Sequence, residues 1–272
     1  MKRWLPWLGL GAALVVVAGW LRHEGKPTYE NLQGDTFGTR YRVTYRRGPD
    51  LQTARKVIEA ELDRIDRMAS TWRNDSELMR YSRSPEHADF EPSAELDQLL
   101  EHAREIETWT DGAFSMQFNP EHLDLSAIAK GHAVDRIDEL LHERFRIEHC
   151  LVEIGGEIKV RGDGPSGDGW QLGIFTPGAA PPIRLTLSDI SIATSGSYFQ
   201  QDHIIDPRDG APAANDLYSV SVLHPSNATA DALATALMVM GLEDGMSWAK
   251  ANEIRAIFLE KDGTKHENQP DP

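Results

Sequence analysis

The chain has 272 residues, enough for one large domain or two small ones. Its residues are 40% hydrophobic and 26% charged, a composition typical of globular proteins. The formal net charge of −15 argues against a nucleic-acid partner, which requires a basic footprint, and against broad adhesion to anionic lipid. Cys150 is the single cysteine, so no intrachain disulfide can form, and we interpret it as a small core residue of a strand.

Residues 1–22 are predicted to be a membrane anchor or a signal peptide. Lys2 and Arg3 precede an apolar run from Trp4 to Leu21, which as a helix would be about 27 Å long against a bilayer core of about 30 Å. An uncleaved anchor and a signal peptide cut after Ala18 both fit this pattern, and we favour the anchor. The prediction is a protein of the cell inner membrane whose globular part faces the periplasm, or a periplasmic protein after cleavage.

A polar linker is predicted over 23–33, followed by a globular domain over 34–262 and a polar tail over 263–272. Period-two alternation predicts a half-buried strand, and apolar residues three and four apart predict three helices after it. The polar loop between the first two helices carries Trp72. The patterns rest on Thr39, Tyr41, Val43 and Tyr45 for the strand, and on Leu51, Ile58, Leu62, Ile65 and Met68, then Leu96, Leu99, Leu100, Ala103 and Ile106, then Ala133, Val134, Ile137, Leu140 and Leu141 for the helices.

From Cys150 onward the chain is predicted to consist mostly of strands. A helix over 229–241 interrupts them, and Gly245 to Ala251 is expected to add a short one. Because helices and strands do not strictly alternate, we predict an α+β fold with a largely antiparallel sheet. The strands are expected near 150–160, 170–176, 183–187, 190–194, 218–223 and 254–259.

Between Asp124 and Asp135, a carboxylate, a serine and small residues lead into Lys130. Asp124 or Ser126 is expected to cap the first helical turn, whose free N–H groups favour an anion. Lys130 would then place a cation near that turn, where a phosphate could bind. The segment alone favours the alternative interpretation, a surface helix with one lysine and a capping aspartate.

Asp231 and Thr235 are four residues apart on a predicted helix, so their side chains lie on one face about 5–6 Å apart. Carboxylate and hydroxyl oxygens are ligands that Mg²⁺ accepts, with waters and substrate phosphates completing the octahedron. The segment alone favours another interpretation, in which Asp231 caps the helix and Thr235 bonds back to a carbonyl.

An ordered series of short motifs extends these two segments along the chain. They are Phe37-Gly38-Thr39, Ser70-Thr71-Trp72 with Asn74-Asp75-Ser76-Glu77, Asp111-Gly112-Ala113-Phe114, Asp124 to Gly131, Ile154-Gly155-Gly156-Glu157, Ala193-Thr194-Ser195-Gly196, His203 to Gly210 and Ala230 to Leu237. In their order along the chain and in their residues, these motifs resemble those of the FAD:protein FMN transferases, the ApbE-type flavin transferases. The resemblance covers roughly residues 34 to 260 and implies an ApbE-like fold.

The resemblance implies a metal site and a flavin site. Mg²⁺ would be held by Asp231, Thr235 and the backbone oxygen of Ala127, and Asp124 and Lys130 would contact FAD. The resemblance also implies aromatic contacts with FAD. Without the resemblance, two of these aromatic residues are simply hydrophobic residues near turns, for which burial in the core is the favoured interpretation. These two are Phe37 and Trp72, and the other implied FAD contacts are Ala113, Phe114, Ser115 and Ile205.

The implied reaction is attack by a threonine hydroxyl of a target protein on the FMN-side phosphorus of FAD, releasing AMP. His203 is the candidate base, because a neutral imidazole can accept a proton near pH 7. Asp206 either orients that ring or stabilises the turn before Pro207. The implied partner is an exported or membrane redox protein that carries the acceptor threonine.

The chain departs from the family pattern at Ser197, where aspartate is common, and more extensively after Phe114. Ser115 stands where the family commonly has aspartate, and only Met116 to Leu123 separate it from Asp124, where the family has a long insertion. Several tens of residues are therefore missing, enough to remove part of one wall of the flavin site. The alternatives to flavin transfer are hydrolysis of FAD to FMN and AMP, a non-catalytic flavin-binding exported protein, and a structural exported domain with a decayed site.

Overall fold

The computed structural model describes residues 28–84, 90–117, 122–178, 180–197, 204–213 and 215–268. Two predictions, the N-terminal segment over 1–22 and the candidate base His203, lie outside these residues. Within them, no helix is long and apolar enough to cross a membrane. The elements in chain order are β1 (Tyr29–Thr36), β2 (Thr39–Arg46), α1 (Leu51–Ala69), α2 (Glu77–Arg83), α3 (Ala94–Trp109), α4 (Ser126–Phe145), β3 (Cys150–Ile154), β4 (Glu157–Arg161), β5 (Trp170–Ile174), β6 (Ile183–Leu187), β7 (Ile190–Gly196), β8 (Leu217–His224), α5 (Asn227–Ala251), β9 (Arg255–Glu260) and β10 (Lys265–Asn268).

Among the described residues, one large sheet has the strand order β1-β2-β3-β4-β7-β8-β9-β10, and β5 and β6 form a separate hairpin. Every strand pair is antiparallel. The predicted α+β class with a largely antiparallel sheet is therefore confirmed.

The large sheet is covered on both faces. Alternate residues point to opposite sides of a strand, so Tyr41, Val43 and Val152 pack among the helices, whereas Leu151 and Ile158 pack beneath the β5–β6 hairpin. Cys150 is fully buried on the helix side, which confirms its interpretation as a core residue.

The structure extends the ordered elements beyond the predicted boundaries. Tyr29 to Gln33, predicted as linker, form the first part of β1, and Lys265 to Asn268, predicted as tail, form β10. Both are edge strands with few buried side chains, so they lack the alternation that marks a strand in sequence. Helix α2 was also not predicted, and its Ser76 cap accepts a hydrogen bond from the Met79 N–H.

Helix α5 contains the two helices predicted over 229–241 and 245–251, joined across a kink. It runs from Asn227 to Ala251 with a break at Gly241, where φ is 79°. This is the left-handed region that glycine adopts without steric penalty. Near the break, the Asn215 side-chain amide donates to the Met238 carbonyl at 2.7 Å, so that carbonyl keeps a hydrogen bond.

Helices α4 and α5 approach each other closely at Gly131. A Cβ atom at this position would lie 2.7 Å from the Ala228 Cα atom and closer still to the Asn227 carbonyl oxygen. Both neighbours are backbone atoms at the start of α5, which a rotamer change cannot move. The absence of a side chain at Gly131 therefore sets the distance between the two helices.

We expect Gly131→Ala to lower the free energy of unfolding by about 1–3 kcal/mol, because the added methyl group forces the helix backbones apart. Helix propensity alone predicts the opposite sign, a gain of up to about 1 kcal/mol for Gly→Ala. Thermal and urea unfolding of the variant measure the difference. A stability equal to or above that of the wild type would contradict the close helix contact.

Candidate active site

Strand β4 presents a row of charged side chains to helix α4. The Lys159 Nζ atom lies 2.6 Å from an Asp135 carboxylate oxygen, and the Arg161 guanidinium lies 2.6 Å from an Asp138 carboxylate oxygen. Asp138 is buried, so its charge is compensated by this pair rather than by water. Glu157 stands at the start of the same strand and meets α4 through Lys130. These ion pairs hold α4 over β4 in one position along the strand.

Lys130 lies between two buried carboxylates. Its Nζ atom is 2.7 Å from Glu157 Oε1 and 3.5 Å from Asp231 Oδ1, and the side chains of Glu157 and Asp231 are only 3% and 5% exposed. The Gly131 N–H donates to the second Asp231 oxygen at 3.1 Å. The structure thus brings Lys130 and Asp231 together although 101 positions separate them.

The three groups shift each other's pKa values. Burial acts to lower the pKa of the Lys130 ammonium, but the Asp231 and Glu157 carboxylates beside it raise that pKa above its ordinary value. Burial raises the pKa of the Glu157 carboxyl, against the opposing effect of the Lys130 cation. The pKa of Asp231 is also raised by burial, with Lys130 and the Gly131 N–H acting in the other direction. Lys130 is therefore a fixed cation at neutral pH.

Thr235 lies next to this group on α5. Its hydroxyl is 2.9 Å from the Ser195 hydroxyl on β7 and donates to the Asp231 carbonyl oxygen at 3.4 Å. The alternative in which Asp231 caps the helix is wrong, because α5 begins at Asn227 and its cap is Ser226, which accepts from the Thr229 N–H. The alternative bond from Thr235 to a carbonyl is present.

The first turn of α4 is irregular. Ala127, whose backbone oxygen is a predicted metal ligand, has φ −92° and ψ 15°, outside helical values. The Asp124 carboxylate accepts from the Ser126 N–H at 2.7 Å and from the Thr71 hydroxyl at 3.1 Å. The N-cap of α4 is Leu125, without a side-chain cap bond, so neither Asp124 nor Ser126 caps the helix as expected. Asp124 instead ties the loop after α1 to the start of α4.

The donor set around Asp231 fits a hard divalent cation. One ammonium and two carboxylates leave a formal charge of −1 in a buried cluster, and Glu157 Oε2 is buried without a hydrogen-bond partner among the described residues. Those residues contain no cluster of three or more His, Cys, Asp or Glu side chains that could hold a metal ion. A cation here would therefore also need the Thr235 hydroxyl, a backbone oxygen, and oxygens from water or substrate, as Mg²⁺ commonly does.

Trp72 and Phe37 are placed differently. Trp72 is 81% exposed and follows Thr71, which bonds to Asp124, so the expectation of core burial is wrong for Trp72. Its ring is exposed and so available to a ligand. Phe37 lies in the turn between β1 and β2 with φ 49° and packs partly against the core on the helix side. Contact of either residue with FAD stays a prediction.

The segment after α3 offers little side-chain surface to a ligand. Ala113 and Phe114 are buried in the core, and the Phe114 N–H donates to the Thr110 hydroxyl at 3.2 Å. The half-buried Ser115 uses its hydroxyl to accept from the Gln117 N–H at 3.0 Å. The structure therefore leaves their predicted contact with FAD as a prediction.

The segment around Ile205 forms a tight turn. Ile205 pairs with Pro212 in an isolated bridge, and the Asp206 carboxylate binds the Arg208 guanidinium at 2.6 Å. Asp206 also accepts from the Arg208 N–H at 3.0 Å, so its carboxylate stabilises the turn, as one of the two alternatives expected. Arg208 in turn lies beside Gly112. The Ile205 segment and the segment after α3 are therefore neighbours.

Two residues that contact Lys130 or Thr235 had no role assigned from the sequence. Glu157 and Ser195 both belong to motifs quoted above, but neither motif indicates a partner. One signal was present for Glu157: a charged residue directly after a two-glycine turn and next to the apolar Ile158 is unusual at the start of a buried strand.

A model of the ApbE family matches residues 37–122 and 117–258 of the chain. The two matched segments meet at 117–122, where the sequence predicts a missing insertion. An FAD:protein FMN transferase of Vibrio cholerae is 34% identical over 331 residues, covering 97% of this chain and 96% of the relative. Because this alignment is longer than the chain, the relative contains residues that the chain lacks.

Further relatives agree with this match. An FAD:protein FMN transferase of Haemophilus influenzae is 30% identical, covering 84% of this chain and 85% of the relative. The structure of the flavin transferase ApbE from Vibrio cholerae superposes with a TM-score of 0.82 at 30% identity, covering 89% of this chain and 97% of that one. The apo flavinyl transferase ApbE from Pseudomonas stutzeri gives a TM-score of 0.80 at 27% identity, covering 90% and 96%. The chain therefore belongs to the ApbE family.

Proposed function

We propose that this chain is an FAD:protein FMN transferase, which moves FMN from FAD to a threonine hydroxyl of a target protein and releases AMP. The observation that carries the proposal is the buried group of Lys130, Asp231 and Glu157 beside Thr235, in a chain that belongs to the ApbE family. Burying charges is unfavourable, and a lysine between two buried carboxylates on three different elements is more than the α4–β4 contact requires, which supports a functional site.

The proposed metal is Mg²⁺, held by Asp231, Thr235 and the backbone oxygen of Ala127. When bound, it would neutralise charge on the diphosphate of FAD. The backbone at Ala127 supports this assignment: its dihedral angles are not helical, and the Gly131 N–H, the ordinary helical partner of the Ala127 carbonyl, donates to Asp231. The excess negative charge of the cluster supports it as well.

The chain's own residues would bind the substrate and move one proton. Lys130 would bind a phosphate oxygen or orient the flavin, and Trp72 would stack on a flat ring of FAD. His203 would accept the proton of the threonine hydroxyl. A bond forms between the threonine oxygen and the FMN phosphorus, the bond from that phosphorus to the bridging oxygen breaks, and AMP leaves with that oxygen.

The proposed acceptor is an exported or membrane redox protein. This follows from the apolar run between Trp4 and Leu21 with its basic flank, which would place the globular part in the periplasm, anchored to the inner membrane or released after cleavage. The net charge of −15 fits a small-molecule and protein substrate better than a nucleic acid.

The second candidate is an FAD hydrolase, in which water replaces the threonine hydroxyl and the products are FMN and AMP. The shortened segment between Ser115 and Asp124 favours it, because a missing wall would admit water to the flavin phosphates. A third candidate, a protein that binds flavin and transfers nothing, differs from both by the absence of AMP.

The test combines the full chain, FAD, Mg²⁺ and a flavin-accepting domain that carries the target threonine of the family. Intact-mass spectrometry follows the acceptor, and chromatography follows FMN and AMP. An FMN adduct that disappears with EDTA is the expected result. Free FMN and AMP without an adduct would favour the hydrolase, and FAD binding without AMP would favour the binding protein.

We expect Asp231→Asn to reduce Mg²⁺-dependent AMP release by about 100-fold or more, because the substitution removes the one carboxylate among the proposed ligands. Asparagine keeps an oxygen for the Gly131 N–H, so the variant should remain folded by circular dichroism. Asp262→Asn, in an exposed turn, is the matched control and should retain full activity. Full activity of Asp231→Asn with Mg²⁺ still required would reject this metal site.

We expect Trp72→Ala to weaken FAD binding by about 1–3 kcal/mol, the range measured for a base stacked on an aromatic side chain. Its thermal stability should stay within about 0.5 kcal/mol of the wild type, because the side chain is 81% exposed. Trp170→Ala is the matched control: Trp170 belongs to β5 of the hairpin and is buried against the large sheet, so its loss should destabilise the fold by about 3–5 kcal/mol. Titration of flavin fluorescence measures the affinity, and an unchanged Kd for Trp72→Ala would exclude stacking.

A further inference from the structure

Glu157 is the least exposed carboxylate of the cluster, and only one of its oxygens is paired. Oε1 lies 2.7 Å from Lys130 Nζ, whereas Oε2 is buried without a hydrogen-bond partner in the described part of the chain. A buried carboxylate without compensation is strongly unfavourable. The contact with Lys130 is therefore what makes a charged Glu157 possible at this place.

Lys130 does not share its charge equally between its two carboxylates. Its Nζ atom lies 2.7 Å from Glu157 but 3.5 Å from Asp231, at the outer limit of a hydrogen bond. Asp231 instead has its firmer bond from the Gly131 N–H, through the other oxygen. The Asp231 oxygen that faces Lys130 thus retains most of its capacity to accept another partner.

The position of Lys130 decides the charge available to a cation at Asp231. With Glu157 present, one ammonium is shared between two carboxylates and lies closer to Glu157, so the charge of Asp231 is compensated only in part. Without Glu157, Asp231 would be the nearest carboxylate to Lys130, and the pair would be neutral. A buried neutral ion pair attracts a divalent cation much less than a buried carboxylate does.

We propose that Glu157 is a positioning residue that holds Lys130 away from Asp231 and so keeps Asp231 available as a ligand for a divalent cation. The identity of that cation as Mg²⁺ rests on the proposed function. The other explanation for Glu157 is purely structural, a tie between β4 and α4 like that of Lys159 with Asp135. The two explanations differ in their effect on cation affinity.

The test measures Mg²⁺ affinity of the full chain without FAD, by calorimetry and by the rise in melting temperature with Mg²⁺. Glu157→Gln should raise the Kd for Mg²⁺ about 10-fold or more. A loss of this size is common when a residue that positions a metal ligand, without binding the metal itself, is replaced. Glu157→Asp keeps the charge on a shorter side chain and should recover part of the affinity. Glu153→Gln is the matched control, because Glu153 lies on the neighbouring β3, pairs with Arg42 at 3.8 Å, and does not contact Lys130.

A double-mutant comparison separates action through Lys130 from a direct effect of charge. In a Lys130→Gln background, Glu157→Gln should have little further effect on the Mg²⁺ Kd, because no ammonium remains to be held. An equal loss of affinity in both backgrounds would overturn the positioning role, since it would show an effect of charge alone. An unchanged Kd in Glu157→Gln would show a structural role only. Should Glu157→Gln fail to fold, Glu157→Asp in the two backgrounds gives the same comparison.

The outcome is independent of flavin transfer. If the wild type binds Mg²⁺ and the variants behave as expected, but no acceptor is modified, then the inference stands and the proposed activity fails. If the wild type binds no Mg²⁺ at this site, the metal assignment fails and the inference fails with it.

Discussion

The position of helix α4 over strand β4 is the constraint on which the site depends. Asp138 lies on the buried face of α4 and bonds to Arg161, and Asp135, one turn earlier on the helix, bonds to Lys159. These ion pairs have little access to water. A shift of α4 along β4 by one residue would therefore leave buried charges without partners, which is strongly unfavourable. The same registration places Lys130 against Glu157. A purely apolar contact between helix and sheet would allow more variation in this position.

Much of the fold is predictable because it follows from local periodicity. The helices α1, α3 and α4 bury one stripe each, and central strands such as β8 and β9 are buried on both faces, so they appear in the sequence as short apolar runs. The edge strand β1 is not predictable in this way, because Leu32 is its one fully buried side chain in the pattern. The kink in α5, by contrast, agrees with the two helices predicted there, because the backbone of Gly241 lies outside helical values between them.

The candidate site was predictable only in part. Asp231 and Thr235 share one helix face by spacing alone, and the resemblance adds Lys130 from a distant segment. The contacts of Glu157 and Ser195 depend on which strand lies under which helix, and no local pattern contains that information. Alternating charges in β4 would ordinarily indicate a solvated face. In this fold they face a helix that carries the opposite charges, which is a tertiary property.

Strand β1 separates the first residues that the structure describes from the turn at Phe37, a predicted FAD contact. Its eight residues run from Tyr29 at one end to the turn at Phe37 at the other, a distance of about 25 Å for an extended strand. At its first residue, the Tyr29 hydroxyl donates to the Asp163 carbonyl at 2.8 Å, and the ring packs on Trp170 in the hairpin. If residues 1–22 are an anchor, the rigid strand would act as a spacer. The turn at Phe37 would then lie at the end of β1 farther along the chain from the anchor, with the full length of the strand between them.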